Sequence, residues 1–290
     1  MANIAIIIAG GSGHRMGQDI PKQFINVYDK PILIYTLESF QKHPQIDAIE
    51  VVCIDGWHDI LWAYAKQFNI TKLRWITDGG SNGQQSIRNG IWNIKDECQE
   101  EDLILVHDAI RPMISQEIIS ECISKARLNG SAVTVIPCAE AMLRTSDNVS
   151  SDETIPRSEL IRTQTPQAFS LGKMVWAHEE AARRGITNSI ATVTLMIELG
   201  ETVYFAAGSE KNIKLTGKCK NITMVGSDIL IYRLVYNLVE NAIKYNHSGG
   251  QVTVTAYRKE KHVYLSVEDT GNGIPEELRE RVFEPFFRVD

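Results

Sequence analysis

The chain alternates short apolar runs with longer segments of helical periodicity, and this alternation limits the folds that it can adopt. Strand-like runs such as NIAIII (3–8), AIEVVCI (48–54) and DLILVHDA (102–109) are separated by amphipathic segments such as PILIYTLESFQK (31–42). This order is typical of βαβ units, in which helices cover a mostly parallel sheet. The sequence therefore predicts an α/β fold up to about residue 217, with ligand sites at the carboxyl ends of the strands.

The pattern changes after residue 217. The weakly patterned segment TGKCKNITMVGSD (216–228) precedes an amphipathic helix (229–245) and two alternating strands, QVTVTAYRK (251–259) and HVYLSVED (262–269). A helix followed by a hairpin is α+β order and does not continue the βαβ pattern. We therefore place a boundary near residues 216–226, with a first domain over 1–217 and a second over 218–290.

Composition argues against several classes of protein. The net charge of −6 argues against a general nucleic-acid binder, because the phosphate backbone requires a basic surface. No stretch approaches the roughly 18 apolar residues of a membrane span, and MANIAIII runs into glycines without the basic leader of a signal peptide. The five cysteines include no CxxC pair, which argues against a disulfide framework and a structural zinc site. We expect a cytoplasmic protein without nucleic-acid or membrane partners.

A glycine-rich loop, AGGSGHRMGQDIPKQF (9–24), follows the first strand. Glycines after a strand let the backbone approach a ligand closely and direct N–H groups at phosphate oxygens. A Walker A loop needs lysine directly after its last glycine, but Gln18 follows Gly17. A dinucleotide fingerprint needs GxGxxG, whereas the spacing here is GxGxxxG and the second strand ends without an acidic residue.

Two cations accompany these glycines. Arg15 and Lys22 could place fixed positive charge beside a triphosphate, whose transition state gathers charge at the α-phosphorus and on the departing pyrophosphate. The alternative is a tight turn that carries two solvated cations.

The loop resembles the signature of the cytidylyltransferases that act on polyol phosphates, a family that includes the 2-C-methyl-D-erythritol 4-phosphate and ribitol 5-phosphate enzymes. The resemblance runs from about residue 3 to 216. It implies a Rossmann-like (GT-A-like) nucleotidyltransferase fold, a small dimerisation arm at about 138–160 and a homodimer. It also implies transfer of CMP from CTP to a polyol phosphate with release of pyrophosphate. We expect 2-C-methyl-D-erythritol 4-phosphate as the acceptor, with ribitol 5-phosphate as the alternative.

Four further segments carry the resemblance: GGSNGQQSIRNGI (79–91), VHDAIRP (106–112), PRSELIRTQTPQAF (156–169) and EKNIKLT (210–216). The catalytic residues that it implies are Arg15, Lys22 and Lys214. The nucleotide-binding residues that it implies are Ala9, Gly10, Gly11, Gly13, Gly79, Ser86 and Asp108. The acceptor-binding residues that it implies are Arg111, Arg157 and Thr187.

The resemblance also implies particular roles for three of these residues. Asp108 would hold Mg²⁺, which prefers one or two carboxylates together with phosphate oxygens and water. Arg157 would reach the acceptor phosphate across the dimer, and arginine suits bidentate phosphate recognition. Thr187 is the nearest match to a family threonine that usually precedes an acid, but here Asn188 follows it, and Thr192 is the alternative match if the loop is shifted.

The C-terminal segments NLVENAIKY (237–245), DTGNGIP (269–275) and FEPFFRVD (283–290) resemble the N, G1 and F boxes of the histidine-kinase ATP-binding domain. The resemblance implies an incomplete α+β fragment of the Bergerat type, in a fusion or chimera, without kinase activity. The vestigial ATP site would comprise Asn237, Asn241, Lys244, Asp269, Gly271 and Gly273. A nucleotide-binding signalling fragment is therefore the alternative function from another class.

Overall fold

The computed structural model describes residues 1–11, 20–27, 30–138, 140–207, 214–219, 227–247, 249–260, 262–271, 273–276 and 279. The chain divides into two compact units, Met1–Gly208 and Ser209–Asp290. Within the described ranges, no helix is both long enough and apolar enough to cross a membrane.

The larger unit alternates strands and helices along most of its length. Its strands are β1 (Asn3–Ala9), β2 (Asn26–Val27), β3 (Lys30–Pro31), β4 (Ala48–Cys53), β5 (Leu73–Asp78), β6 (Leu103–Asp108), β7 (Ser131–Pro137), β8 (Met142–Arg144), β9 (Glu153–Ile155), β10 (Ile161–Ser170) and β11 (Phe205–Ala207). Its helices are α1 (Ile32–Lys42), α2 (His58–Gln67), α3 (Gly83–Ile94), α4 (Gln116–Asn129), α5 (Leu171–Arg184) and α6 (Thr192–Glu198).

Seven strands form one central sheet in the order β11–β7–β10–β6–β1–β4–β5. Within this described sheet, β10 runs antiparallel to β6 and β7, and the other pairings are parallel. The predicted α/β fold with a mostly parallel sheet is confirmed.

Helices cover both faces of the sheet, which explains the continuous apolar run of β1 over residues 4–9. Ile4 and Ile6 pack into the core cluster that contains residues of α3, α5 and α6. Ala5 and Ile7 alternate with them and pack into the cluster formed with α1, α2 and α4. A strand that is buried on both faces needs apolar side chains at every position, which explains the continuous run.

The parallel strands end together at one edge of the sheet. Ala9 pairs with Cys53, Cys53 pairs with Asp78, and Ile8 pairs with Asp108. The turns that follow β1, β4, β5 and β6 therefore lie side by side, at the edge where open α/β sheets bind ligands.

An exposed hairpin, β8 with β9, lies between β7 and β10 in the chain, within the segment at about 138–160 where the arm was expected. Asp147 organises its turn by accepting hydrogen bonds from the backbone N–H groups of Val149 and Ser150, which hold the pKa of this carboxyl well below its usual range. Leu143 and Val149 are 63% and 89% exposed, so the hairpin offers apolar surface. Its role in dimerisation stays a prediction.

The smaller unit contains β12 (Lys214–Cys219), α7 (Asp228–Lys244), β13 (Gln251–Lys259) and β14 (His262–Asp269). Its sheet has the order β12–β13–β14, and α7 packs on β13 and β14. β12 runs parallel to β13, from the pair Lys214 and Gln251 to the pair Cys219 and Ala256. Because β12 pairs with β13, the structure divides after Gly208, whereas the sequence-based boundary lay after Gly217.

Candidate active site

The turns after β1 and β5 touch each other through their glycine backbones. A Cβ atom at Gly10 would lie 2.9 Å from the Cα of Gly79, and a Cβ at Gly79 would lie equally close to the Cα of Gly10. The Gly79 N–H also donates to the Cys53 carbonyl at 2.8 Å. Two predicted nucleotide-binding glycines therefore meet at a contact that has no room for a side chain.

A Gly79→Ala variant is expected to force these turns apart. We expect a loss of about 1–3 kcal/mol in the free energy of unfolding, as for other overpacked sites, and weaker CTP binding in calorimetric titration. Gly11→Ala is the control for stability, because a Cβ there meets nothing within 4 Å. Equal melting temperatures for Gly79→Ala and the unmodified chain would contradict the backbone contact.

Ser86 ties the second glycine turn to the start of α3. Its buried hydroxyl accepts from the Gly80 N–H and donates to the Asn82 carbonyl, both at 2.9 Å. Asn82 caps the helix, since its side-chain oxygen accepts from the Gln85 N–H. The partial positive charge at the helix N-terminus therefore lies beside the glycine turn, where it favours an anion.

Lys22 begins a short 3₁₀ turn, Lys22–Phe24, that is fastened to the first glycine loop. The buried Gln23 donates from Nε2 to the carbonyls of Ala9 at 2.6 Å and Gly11 at 3.1 Å. Gln23 thereby fixes the half-buried Lys22 next to Gly10 and Gly11. The role of Gln23 could not be predicted from the sequence, because a single polar residue between lysine and phenylalanine carries no periodic signal.

The turn after β6 carries an ion pair between two predicted site residues. The Arg111 Nε donates to Asp108 Oδ2 at 2.6 Å, and both side chains are partly exposed. The Asp108 N–H donates to Thr165 Oγ1 at 3.3 Å, and the buried Thr36 hydroxyl donates to the Ala109 carbonyl at 2.7 Å. These bonds hold the Asp108 carboxylate in a fixed place at the sheet edge.

His107 supports this turn from inside the protein. Burial lowers the pKa of its imidazole to about 4, so the ring is neutral near pH 7. Its Nε2 lies 3.1 Å from the Arg111 carbonyl and donates to it, which fixes the backbone of the turn. A buried, neutral imidazole with this bond holds structure, and it is poorly placed to exchange protons with a substrate.

Thr187 lies in the loop between α5 and α6, and its carbonyl accepts from Asn82 Nδ2 at 3.0 Å. Its side chain is exposed, as is that of Arg157 in a 3₁₀ turn at Arg157–Glu159. The structure thus brings Gly10, Gly79 and Ser86 together and joins the Thr187 loop to them through Asn82.

Three predicted catalytic or nucleotide-binding residues lie outside the part of the larger unit that the structure describes. Gly13 and Arg15 lie outside the described residues. Lys214 is the exposed first residue of β12 in the smaller unit, so its action at the transferase site stays a prediction.

In the smaller unit, the predicted glycine turn after β14 is tightly built. Asp269 Oδ1 accepts from the Gly271 N–H at 2.8 Å, and a Cβ at Gly271 would lie 2.4 Å from the Tyr245 carbonyl oxygen. Gly273 has a φ of +69°, which favours glycine. Asn237 and Asn241 are exposed positions of α7, and the Lys244 side chain lies outside the described residues. ATP binding by this unit stays a prediction.

Two family patterns match the chain. The first, 2-C-methyl-D-erythritol 4-phosphate cytidylyltransferase (IspD), covers residues 3–224. The second, described as histidine kinase-, DNA gyrase B- and HSP90-like ATPase, covers residues 226–290.

Similar proteins carry two different substrate names. The chain is 45% identical over 214 residues to a ribitol-5-phosphate cytidylyltransferase of Lacticaseibacillus paracasei, covering 73% of this chain and 92% of the relative. It is 36% identical over 219 residues to a 2-C-methyl-D-erythritol 4-phosphate cytidylyltransferase of Clostridium acetobutylicum, covering 74% and 92%. The fold is similar to the crystal structure of 4-diphosphocytidyl-2C-methyl-D-erythritol synthase from Anaerococcus prevotii, with a TM-score of 0.62, 23% identity, and 81% and 96% of the two chains covered.

Proposed function

The chain belongs to the 2-C-methyl-D-erythritol 4-phosphate cytidylyltransferase (IspD) family, and from this premise we propose that its acceptor is ribitol 5-phosphate and its product CDP-ribitol. Cytidylyl transfer to a polyol phosphate is the activity of this family. The relative that carries the ribitol name shares more identity with this chain than the relative from Clostridium acetobutylicum that carries the methylerythritol name. This difference in identity carries the proposal. Ribitol 5-phosphate therefore replaces 2-C-methyl-D-erythritol 4-phosphate, which was the acceptor expected from the sequence.

The loop around Thr187 supports an open-chain polyol as the acceptor. Thr187 and Asn188 are both exposed in this loop. An amide both donates and accepts hydrogen bonds, so Asn188 suits the hydroxyl groups of a polyol chain, whereas an acid there would only accept.

The chemistry that we propose is in-line substitution at the α-phosphorus of CTP. A phosphate oxygen of the acceptor forms the new P–O bond, while the bond to the bridging oxygen of the β-phosphate breaks and pyrophosphate leaves with the electron pair. A phosphate monoester is already an anionic nucleophile near neutral pH. The protein therefore contributes positioning and charge neutralisation, and no catalytic base is needed.

Different residues provide the positioning and the charge neutralisation. The turn at Gly10 and the N-terminus of α3 offer backbone N–H groups to the phosphates, and the contact between Gly10 and Gly79 holds the two glycine turns together. Lys22 offsets charge as it gathers on the departing pyrophosphate. Arg111 and Thr187 bind the acceptor phosphate, and Arg157 of the partner subunit in a homodimer completes that site.

Asp108 fits a magnesium ion that is bound mainly by substrate. Its carboxylate is partly exposed, and Arg111 engages only its Oδ2. Mg²⁺ takes one or two carboxylates with phosphate oxygens and water, so a single aspartate at this edge suffices. The ion, when bound, would neutralise phosphate charge.

The test is release of pyrophosphate by the purified full-length chain with CTP, Mg²⁺ and either ribitol 5-phosphate or 2-C-methyl-D-erythritol 4-phosphate. We expect kcat/KM to be at least about 100-fold higher with ribitol 5-phosphate, and mass spectrometry to identify CDP-ribitol. Preference for the methylerythritol acceptor would overturn the proposed substrate while leaving the transferase activity in place.

A further inference from the structure

The loop that carries Thr187 is held by two amide side chains of the nucleotide-binding segment. Gln84 Nε2 donates to the Ile186 carbonyl at 2.8 Å, and Gln84 Oε1 accepts from the Ser189 N–H at 2.7 Å. Asn82 adds the bond to the Thr187 carbonyl. Three hydrogen bonds thus join segments that are more than 100 residues apart in the chain.

The same helix N-terminus holds the nucleotide turn. Asn82 uses its oxygen to cap α3 and its nitrogen to bind the loop, so one amide serves both contacts. One turn further along α3, Ser86 fixes Gly80 in the glycine turn. The start of α3 therefore forms hydrogen bonds with both the turn assigned to CTP and the loop assigned to the acceptor.

The backbone of the loop is held while its central side chains stay accessible. Ser189 is buried, and its hydroxyl donates to Glu198 Oε2 in α6. Between the anchors at Ile186 and Ser189, the side chains of Thr187 and Asn188 are exposed. This arrangement sets the position of two side chains without using their own polar groups in the anchoring bonds.

We propose that Gln84 is a positioning residue that places the acceptor, with Asn82 as its partner, by holding residues 186–189 at a set distance from the nucleotide turn. The inference rests on the proposed function, because Thr187 is assigned there to the acceptor. In-line transfer requires the acceptor oxygen to lie about 3–3.5 Å from the α-phosphorus, and a misplacement of about 1 Å can lower the rate about 100-fold. Gln84 acts on the acceptor through the loop and touches neither reacting group.

A Gln84→Ala variant tests this role by separating acceptor use from CTP binding. We expect kcat/KM for the acceptor to fall about 10- to 100-fold, mainly through a higher KM, while the Kd for CTP stays within about twofold. Gln84→Glu should give a smaller loss, because its oxygen can still accept from the Ser189 N–H but cannot donate to the Ile186 carbonyl. Equal losses for CTP and acceptor, or no loss, would overturn the proposal.

Gln41→Ala is the matched control. Gln41 makes the same kind of two-bond bridge, donating to Thr71 Oγ1 at 2.9 Å and accepting from the Lys72 N–H at 2.8 Å. It lies at the amino-end edge of the sheet, away from the site, because Lys72 directly precedes β5. We expect a comparable fall in melting temperature and unchanged values of KM for both substrates.

Hydrogen exchange separates failure of this inference from failure of the proposed function. Gln84→Ala should speed amide exchange in a peptide that spans residues 185–190, and Gln41→Ala should not. If the unmodified chain uses neither acceptor, the proposed function fails, and exchange still decides whether Gln84 holds the loop. Unchanged exchange in Gln84→Ala would overturn the positioning role in either case.

Discussion

Replacing Lys22 with alanine is expected to lower kcat/KM for pyrophosphate release by about 1,000-fold, the largest effect that we expect from a single side chain here. The ammonium group sits on a turn that Gln23 fixes to the first glycine loop. None of the ion pairs formed among the described residues includes Lys22. A fixed cation stabilises developing charge without reorganising. An alanine side chain carries no charge and cannot provide this stabilisation.

The measurement is steady-state turnover with saturating acceptor, together with calorimetric titration of CTP. We expect kcat to fall far more than CTP affinity, because charge on the departing pyrophosphate is greatest in the transition state. Lys66→Ala is the charge-matched control, since Lys66 is an exposed residue of α2. A near-normal kcat for Lys22→Ala would show that Lys22 is not a catalytic residue.

Replacing Glu50 with glutamine is expected to stabilise the larger unit at alkaline pH by roughly 3–5 kcal/mol. Glu50 is fully buried in β4, where its Oε1 accepts from Asn93 Nδ2 at 3.0 Å. Its Oε2 has no hydrogen-bond partner among the described residues. Burial raises the pKa of this carboxyl to about 8, because the ionised form loses its hydration.

The direction of the pH dependence follows from this raised pKa. An unfolded chain releases the Glu50 proton near pH 4.5, whereas the folded chain keeps it until about pH 8. Between these values the folded state binds more protons, so the free energy of unfolding falls as the pH rises. Below about 4.5 this contribution is fully present, and above about 8 it is lost.

Urea unfolding between pH 5 and pH 8.5 measures this effect, followed by tryptophan fluorescence. The fluorescence reports on the larger unit, because all five tryptophans lie in it: Trp57, Trp62, Trp75, Trp92 and Trp176. Glu50→Gln should remove most of the downward slope, while the exposed control Glu101→Gln should keep it. Parallel curves for Glu50→Gln and the unmodified chain would mean that Glu50 titrates normally.

Local sequence determined the strands, the helices and the glycine turns of the larger unit. The run over residues 4–9 is apolar at every position because both faces of β1 are buried, and that requirement is visible without coordinates. The Gly10, Gly79 and Asp108 motifs were likewise visible, since each follows a recognisable strand and resembles a known family. Their meeting at one edge follows from parallel pairing, which the βαβ order predicts.

Tertiary structure alone decided which side chains hold those motifs together. Gln23, Gln84 and Asn82 make their key bonds to backbone groups of distant segments, and Thr36 reaches the turn after β6 in the same way. A bond to a backbone carbonyl or N–H leaves no residue-type pattern in the partner segment, so spacing cannot reveal it. The position of Lys214 in the sheet of the smaller unit could not be predicted either, because a strand can pair with different segments that are distant in the sequence. Only the fold determines that the residues of β12 pair with β13.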